Sequence, residues 1–311
     1  MSESARTVQQ RFEGAETMEG AGVRLRRMFG NSEVPLLDPF LLLDNFGSSN
    51  PADYLAGFPW HPHRGIETVT YMLNGKTAHE DSLGNKGVID RGDVQWMSAG
   101  SGILHQEMPQ RTEGRLSGFQ LWVNLPRDHK LETPAYRGVE AREIPIVHGD
   151  DGREVRVIAG EYEGVVGPVR HIPVDPLYLD VTLPARSEFR LPVHRGHTVF
   201  AQAIDGAAQF GGPVELGVGR GPGAPEGAGA TPAPPSSDGP GHTLLFGDGD
   251  RVEVRSGPQG VRFLLGAGRP LHEPVAWYGP IVMNTREEIA EAISDLRDGT
   301  FVRATKVIDE T

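Results

Sequence analysis

The sequence predicts an all-β protein. Gly (41) and Pro (25) recur along the 311 residues and cut the chain into short runs such as VTYML, FQLWVNL, EVRVIAG, LYLDVTL and TVFAQAI. Several runs alternate in hydropathy: Leu177, Leu179, Val181 and Leu183 share one parity, as do Phe189, Leu191 and Val193. Segments with a 3.6-residue period are too few for an α/β fold. Short alternating strands separated by turn residues make a sandwich or a barrel. The length favours two domains over one.

Composition narrows the chemistry. There is no cysteine, which excludes disulfides, thiolate zinc sites, iron–sulfur clusters and thiol catalysis, so any metal must be held by His, Asp or Glu. The net charge is −12, from 30 basic and 42 acidic residues, which argues against binding a phosphate backbone. No apolar run approaches the ~20 residues that cross a bilayer. The N-terminus lacks the apolar core of an export signal, so the expected location is the cytoplasm. A monomer is expected.

The elements follow in chain order. VRLRRMF (23–29) reads as a strand with solvated outer positions rather than a nucleic-acid patch. FPWHPHRGIETVTY (58–71) places His61 and His63 one residue apart, on the same side of an extended strand, with Glu67 in phase if the strand continues without a bulge. AHEDSLGN (78–85) gathers His79, Glu80 and Asp81, but its turn composition reads as a hairpin. In GDVQWMSAGSGILHQEMP (92–109), His105 and Glu107 again share one face. MSAGSG lacks the Lys and helix of a phosphate loop, and there is no G-x-S-x-G elbow. The polar stretch 126–150 holds the domain boundary, giving domains over 1–140 and 141–284 and a tail over 285–311. Residues 211–241 are rich in Gly, Pro, Ala and Ser. Most of that tract, about 215–240, reads as a disordered insertion inside the second domain, since strands resume at HTLLF. In NTREEIAEAISDLRDGTF, Thr285 and Glu288 have capping-box spacing, Ile289, Ile293 and Leu296 form an apolar stripe, and Gly299 is placed as the stop.

Two H-x-H or H-x-E pairs on neighbouring strands would aim three imidazoles and a carboxylate at one point. An H-x-H on a strand is common by chance. Both pairs together, flanked by Gly turns and without competing thiols, favour a metal site. Imidazole and carboxylate suit divalent iron, manganese, nickel, copper or zinc.

The order G-F-P-x-H-P-H-R-G-x-E-T-V-T-Y, then H-E-D-S, then G-D-V-Q-W-M-x-A-G-S-G-I-L-H-x-E-M-P resembles the pirin family of the cupin superfamily. PLLDPFLLLDNFG (35–47), FQLWVNLPRDHK (119–130) and GRPLHEPVAWYGPIVMNT (268–285) extend the likeness from about residue 20 to about 302. The resemblance implies two antiparallel β-barrel (double-stranded β-helix, bicupin) domains packed face to face. It implies one divalent metal in the N-terminal barrel, Fe(2+) first, with Mn, Ni, Cu, Co or Zn as alternatives. Its ligands fall on His61, His63, His105 and Glu107. In the second half, LPVHRGHTV sets His194 under His63 but Pro192 under His61. Arg262 and Leu264 replace His105 and Glu107, so the ligand set is lost there.

The activity that the resemblance implies is a flavonol-cleaving, quercetinase-type dioxygenase. Its substrates would be a planar polyphenol and O2, with Glu107 as the base for the 3-hydroxyl and Glu67 second. The alternative is a non-enzymatic, metal-containing regulatory protein that binds a transcription factor or a metabolic enzyme.

Overall fold

The computed structural model describes residues 4–212 and 237–303. Antiparallel sheets make up nearly all of it, with one α-helix among the described residues, Arg286–Asp298. In the first half a seven-stranded sheet runs Ala135–Val139, Val94–Ser98, Ile66–Asn74, Leu116–Asn124, Phe40–Ser48, Val23–Phe29, Ala15–Glu19. A four-stranded sheet, Phe58–His63, Ile103–Pro109, Thr77–Asp81, Lys86–Ile89, carries the histidine motifs. In the second half one eight-stranded sheet is built on two long strands, Thr198–Phe210 and Arg251–Gly268.

Among the described residues the closed barrels implied by the resemblance are not formed: every sheet ends on edge strands, and no ladder returns to its start. The cause is local. Gly65, at a φ of +77°, breaks the 58–71 segment, so Phe58–His63 joins one sheet and Ile66–Asn74 the other. Only glycine adopts that backbone cheaply. Here an added Cβ would also sit 2.0 Å from the Val282 carbonyl oxygen. Near this edge the two sheets are tied by the Ala21 N–H donating to Gly57 O at 3.0 Å, and Glu19, Gly20, Phe58 and Trp60 line a cavity there.

Each half sends an arm to the other. Val8–Glu13 pairs with His242–Phe246 in the second sheet. Ile281–Met283 returns to the first half, where the Val282 N–H donates to Arg64 O at 3.1 Å. Between the halves, Phe200 packs on Phe29 and Phe40 at centroid distances of 5.5 and 5.0 Å. The Tyr71 hydroxyl donates to Asp180 (2.6 Å), and Arg262 grips the same carboxylate with two bonds of 3.0 and 2.6 Å. The Leu177–Leu183 strand is therefore covered on both faces, with Leu179 and Val181 in the core and Asp180 at the junction.

The helix has the predicted ends. Thr285 caps it through the Glu288 N–H (3.2 Å), Glu288 accepts the Thr285 N–H (2.9 Å), and Gly299 closes it in the left-handed region. Ile289 and Ala292 pack with Ile281, Met283 and Phe301 against Leu104, behind the histidine sheet. Residues 215–236 of the expected insertion lie outside the described residues. Its last part does not fit that expectation: Asp238 forms an antiparallel bridge with Ala208 and accepts from Arg11 at 2.9 Å. No described helix is long and apolar enough to cross a membrane.

Candidate metal centre

Pairing across the four-stranded sheet sets His105 opposite His61, and Ile103 opposite His63. The rings of His61, His63 and His105 converge, with centroids 4.3 to 5.0 Å apart. His61 Nδ1 lies 2.9 Å from Pro59 O, and His63 Nδ1 lies 3.1 Å from Pro280 O. A carbonyl only accepts, so both Nδ1 atoms carry the proton and both Nε2 atoms of the neutral rings are bare lone pairs. Those two Nε2 atoms are 3.1 Å apart. Two lone pairs facing each other repel unless a cation lies between them. Adjacent ligands at about 2.1 Å from an ion and at right angles would be about 3 Å apart, so the spacing fits a metal.

His105 is fully buried, and neither of its ring nitrogens has a hydrogen-bond partner. Burial, reinforced by neighbouring imidazoles, holds His63 and His105 well below the usual histidine range, so both are neutral at pH 7, the form that ligates.

Glu107 sits on the same buried face two residues on, opposite a bulge whose extra residue lies in the facing Phe58–His63 strand. Its carboxylate accepts from the Thr70 hydroxyl (2.9 Å) and, at 3.5 Å, from Gln120. The structure does not gather all four expected ligands equally. His61, His63 and His105 form one group of converging donors, whereas Glu107 forms a second with His105 and His79. Among the described residues both such groups lie in the first half. In the second half Arg262 is engaged by Asp180, Leu264 is core, and the His194 ring lies against His197 (5.2 Å) while its carbonyl accepts from Arg6 (2.8 Å).

Glu67 is elsewhere. The break at Gly65 puts it on the other sheet, where its carboxylate accepts from the Trp96 indole and the Ser98 hydroxyl, and burial raises its pKa. Sequence reasoning missed His79, which is buried next to His105 and stacks on Tyr136 at 4.9 Å. It does belong to a hairpin, but Thr77, His79 and Asp81 alternate inward, a parity that was readable.

The metal group opens on a cavity of about 580 Å³. His61, His63 and Glu107 form its floor. Trp122 packs edge-on to His63 (5.0 Å) and against Trp277 (6.1 Å), and Trp60 stands at the rim. The cavity is also lined by Arg27, which binds Asp44 with two bonds of 2.8 Å and Glu19 at 2.9 Å.

The chain matches the Pirin family over residues 22–123 and the Pirin C-terminal cupin domain over 235–302. It belongs to the pirin family. A pirin-like protein of Caulobacter vibrioides is 43% identical over 289 residues, 93% of this chain and 96% of that one. A solved quercetin 2,3-dioxygenase from Acinetobacter baumannii superposes with a TM-score of 0.80 at 32% identity, covering 95% of this chain and 98% of the other. A pirin of Escherichia coli solved with nickel(II) shares the fold, with a TM-score of 0.61 at 19% identity over 84% of this chain and 98% of the other.

Proposed function

We propose that this pirin is a metal-dependent dioxygenase that opens the heterocycle of a flavonol, a planar polyphenol with a hydroxyl next to a ketone. The observation that carries the reading is the convergence of bare imidazole nitrogens at the floor of an aromatic-walled cavity. The similarity to a quercetin 2,3-dioxygenase over nearly the whole chain supports it. The two halves are read as a bicupin with one metal, Fe(2+), held in the first half by His61, His63, His105 and Glu107.

When bound, the metal supplies Lewis-acid stabilisation of the deprotonated substrate and a redox partner for O2. The protein residues do the rest. Trp122 and Trp277 offer flat apolar surface to a polyphenol ring. Glu107, at the cavity floor, takes the proton of the 3-hydroxyl. Thr70 and Gln120 hold its carboxylate toward the cavity. The buried floor keeps bulk water from the developing enolate, where charge interactions are stronger.

The test is flavonol loss under air by iron-loaded protein, with and without chelator. Metal-dependent loss with release of carbon monoxide is the expected result. No consumption by fully loaded protein would remove the dioxygenase reading and leave the regulatory one.

A further inference from the structure

We infer that the cavity contains a polar recognition subsite, Asp44 held by Arg27 with Glu19 beside it. It selects polyphenols that carry free hydroxyls on the end remote from the chelating hydroxyl–ketone pair. The inference rests on the flavonol reading and makes Asp44 a specificity-determining residue of that same cavity. All three side chains line it together with His61, His63 and Glu107. Asp44 is only 5% exposed, yet it lies on the cavity wall.

Strand register fixes where the subsite lies. Arg27 is opposite Asp44, Asp44 opposite Gln120, and Gln120 opposite Thr70, one residue on each of four adjacent strands. Residues directly opposite one another share a face of the sheet. One end of this row meets Glu107: Thr70 donates to its carboxylate at 2.9 Å, and Gln120 lies 3.5 Å from it. Neighbouring strands are about 4.8 Å apart, so the Asp44 and Arg27 backbones stand about 5 and 10 Å from that of Gln120. A three-ring polyphenol chelated beside Glu107 spans that interval, and a single phenol ring does not.

The hydrogen bonding defines the ligand. Each Asp44 oxygen accepts one bond from Arg27, both of 2.8 Å. A carboxylate offers about four acceptor positions, so Asp44 can take a further donor at each oxygen. The two-pronged grip fixes the carboxylate, and an incoming hydroxyl meets an acceptor already in place. Arg27 also reaches Glu19 at 2.9 Å. One guanidinium and two carboxylates leave a single net negative charge, which suits hydroxyl donors and repels carboxylate, sulfate or phosphate substituents. Trp122 and Trp277 offer their faces to any flat ring, so discrimination among polyphenols falls to this polar group.

Binding is measured without O2, so that turnover does not enter. Iron-loaded protein is titrated with quercetin, which carries hydroxyls on both outer rings, and with 3-hydroxyflavone, which has only the chelating pair. Wild type is expected to bind quercetin at least about tenfold more tightly. Asp44→Asn should cut that ratio to about threefold or less and leave the affinity for 3-hydroxyflavone near that of wild type. Equal affinities in wild type, or a ratio that the variant keeps, overturn the subsite. If Asp44→Asn melts early, the comparison moves to Glu19→Gln, whose side chain is 38% exposed, and the same reduction is expected there. Admitting air separates the two readings. Quercetin bound with this selectivity but left unconsumed removes the dioxygenase reading and keeps the subsite. Both flavonols bound and consumed equally well remove the subsite and keep the dioxygenase. A wild type that binds neither flavonol overturns both.

Discussion

At the scale of single residues, the centre turns on His105 and Glu107. His105 is common to both donor groups, so His105→Ala should abolish metal binding, measured as metal per chain after gel filtration. Glu107→Gln replaces a charged donor and proton acceptor by an amide. Metal occupancy should fall, and flavonol turnover per bound metal should drop roughly 10²-fold or more. Full metal with full turnover would remove Glu107 from both roles. The pH dependence follows from the depressed pKa values of His63 and His105. Protonation competes with metal only below a ring's own pKa, and for these two that lies well under the ordinary value. Metal affinity should therefore be flat between pH 8 and pH 7 and fall only at lower pH; a steep loss between 8 and 7 would contradict it. The shared face of His61 and His63, and of His105 and Glu107, was legible because alternation holds within one strand. Glu67 was misplaced because that rule fails at Gly65, where the strand changes sheets. The place of His79 was hidden because its strand reaches His105 only through pairing with Ile103–Pro109.

At the scale of elements, the helix could be read to its ends because caps are local: Thr285, Glu288 and Gly299 act within a turn of the residues they satisfy. What could not be read is that the segment leading into the helix completes the metal centre. Pro280 O fixes the His63 ring and Trp277 walls the cavity, while beyond the helix Phe301 lies under the Arg64 guanidinium at 4.3 Å. Lys130 ties these pieces together. Its buried ammonium donates to Gly65 O (2.8 Å), Asn124 Oδ1 (2.6 Å) and Val282 O (3.0 Å), joining the His63 strand end to the returning arm. Lys130→Met would take a donor from three oxygens, of which Gly65 O keeps the Leu125 N–H at 3.4 Å. We expect a loss on the order of 3 kcal/mol in denaturant unfolding, together with weaker metal binding as the Pro280–His63 contact loosens. A stable variant with unchanged metal affinity would show that the arm is held by other contacts.

At the scale of the whole molecule, the all-β class was evident from turn spacing and alternation, but the exchange of arms between halves was not. Val8–Glu13 shows nothing in its residues that assigns it to the far sheet; its place comes from pairing some 230 residues away, with His242–Phe246. Likewise Asp180 reads as a polar interruption in LYLDVTL, and only the packed halves reveal Tyr71 and Arg262 as its partners. The Gly/Pro-rich tract poses the opposite question, what can be removed without consequence. Its composition offers little apolar surface to bury, and loop closure costs only about 0.6 kcal/mol per doubling of length. The cut must stop before Asp238, because that residue bridges Ala208 and binds Arg11. Replacing residues 215–236 by a short Gly-Ser linker should leave the melting temperature within a few degrees of wild type and one metal equivalent per chain. Extending the deletion through Asp238 should lower the melting temperature further, by stripping Arg11 of its buried partner and Ala208 of its backbone bonds. If the shorter deletion alone melts many degrees early, residues 215–236 pack on the second half and the compositional reading of the tract is wrong.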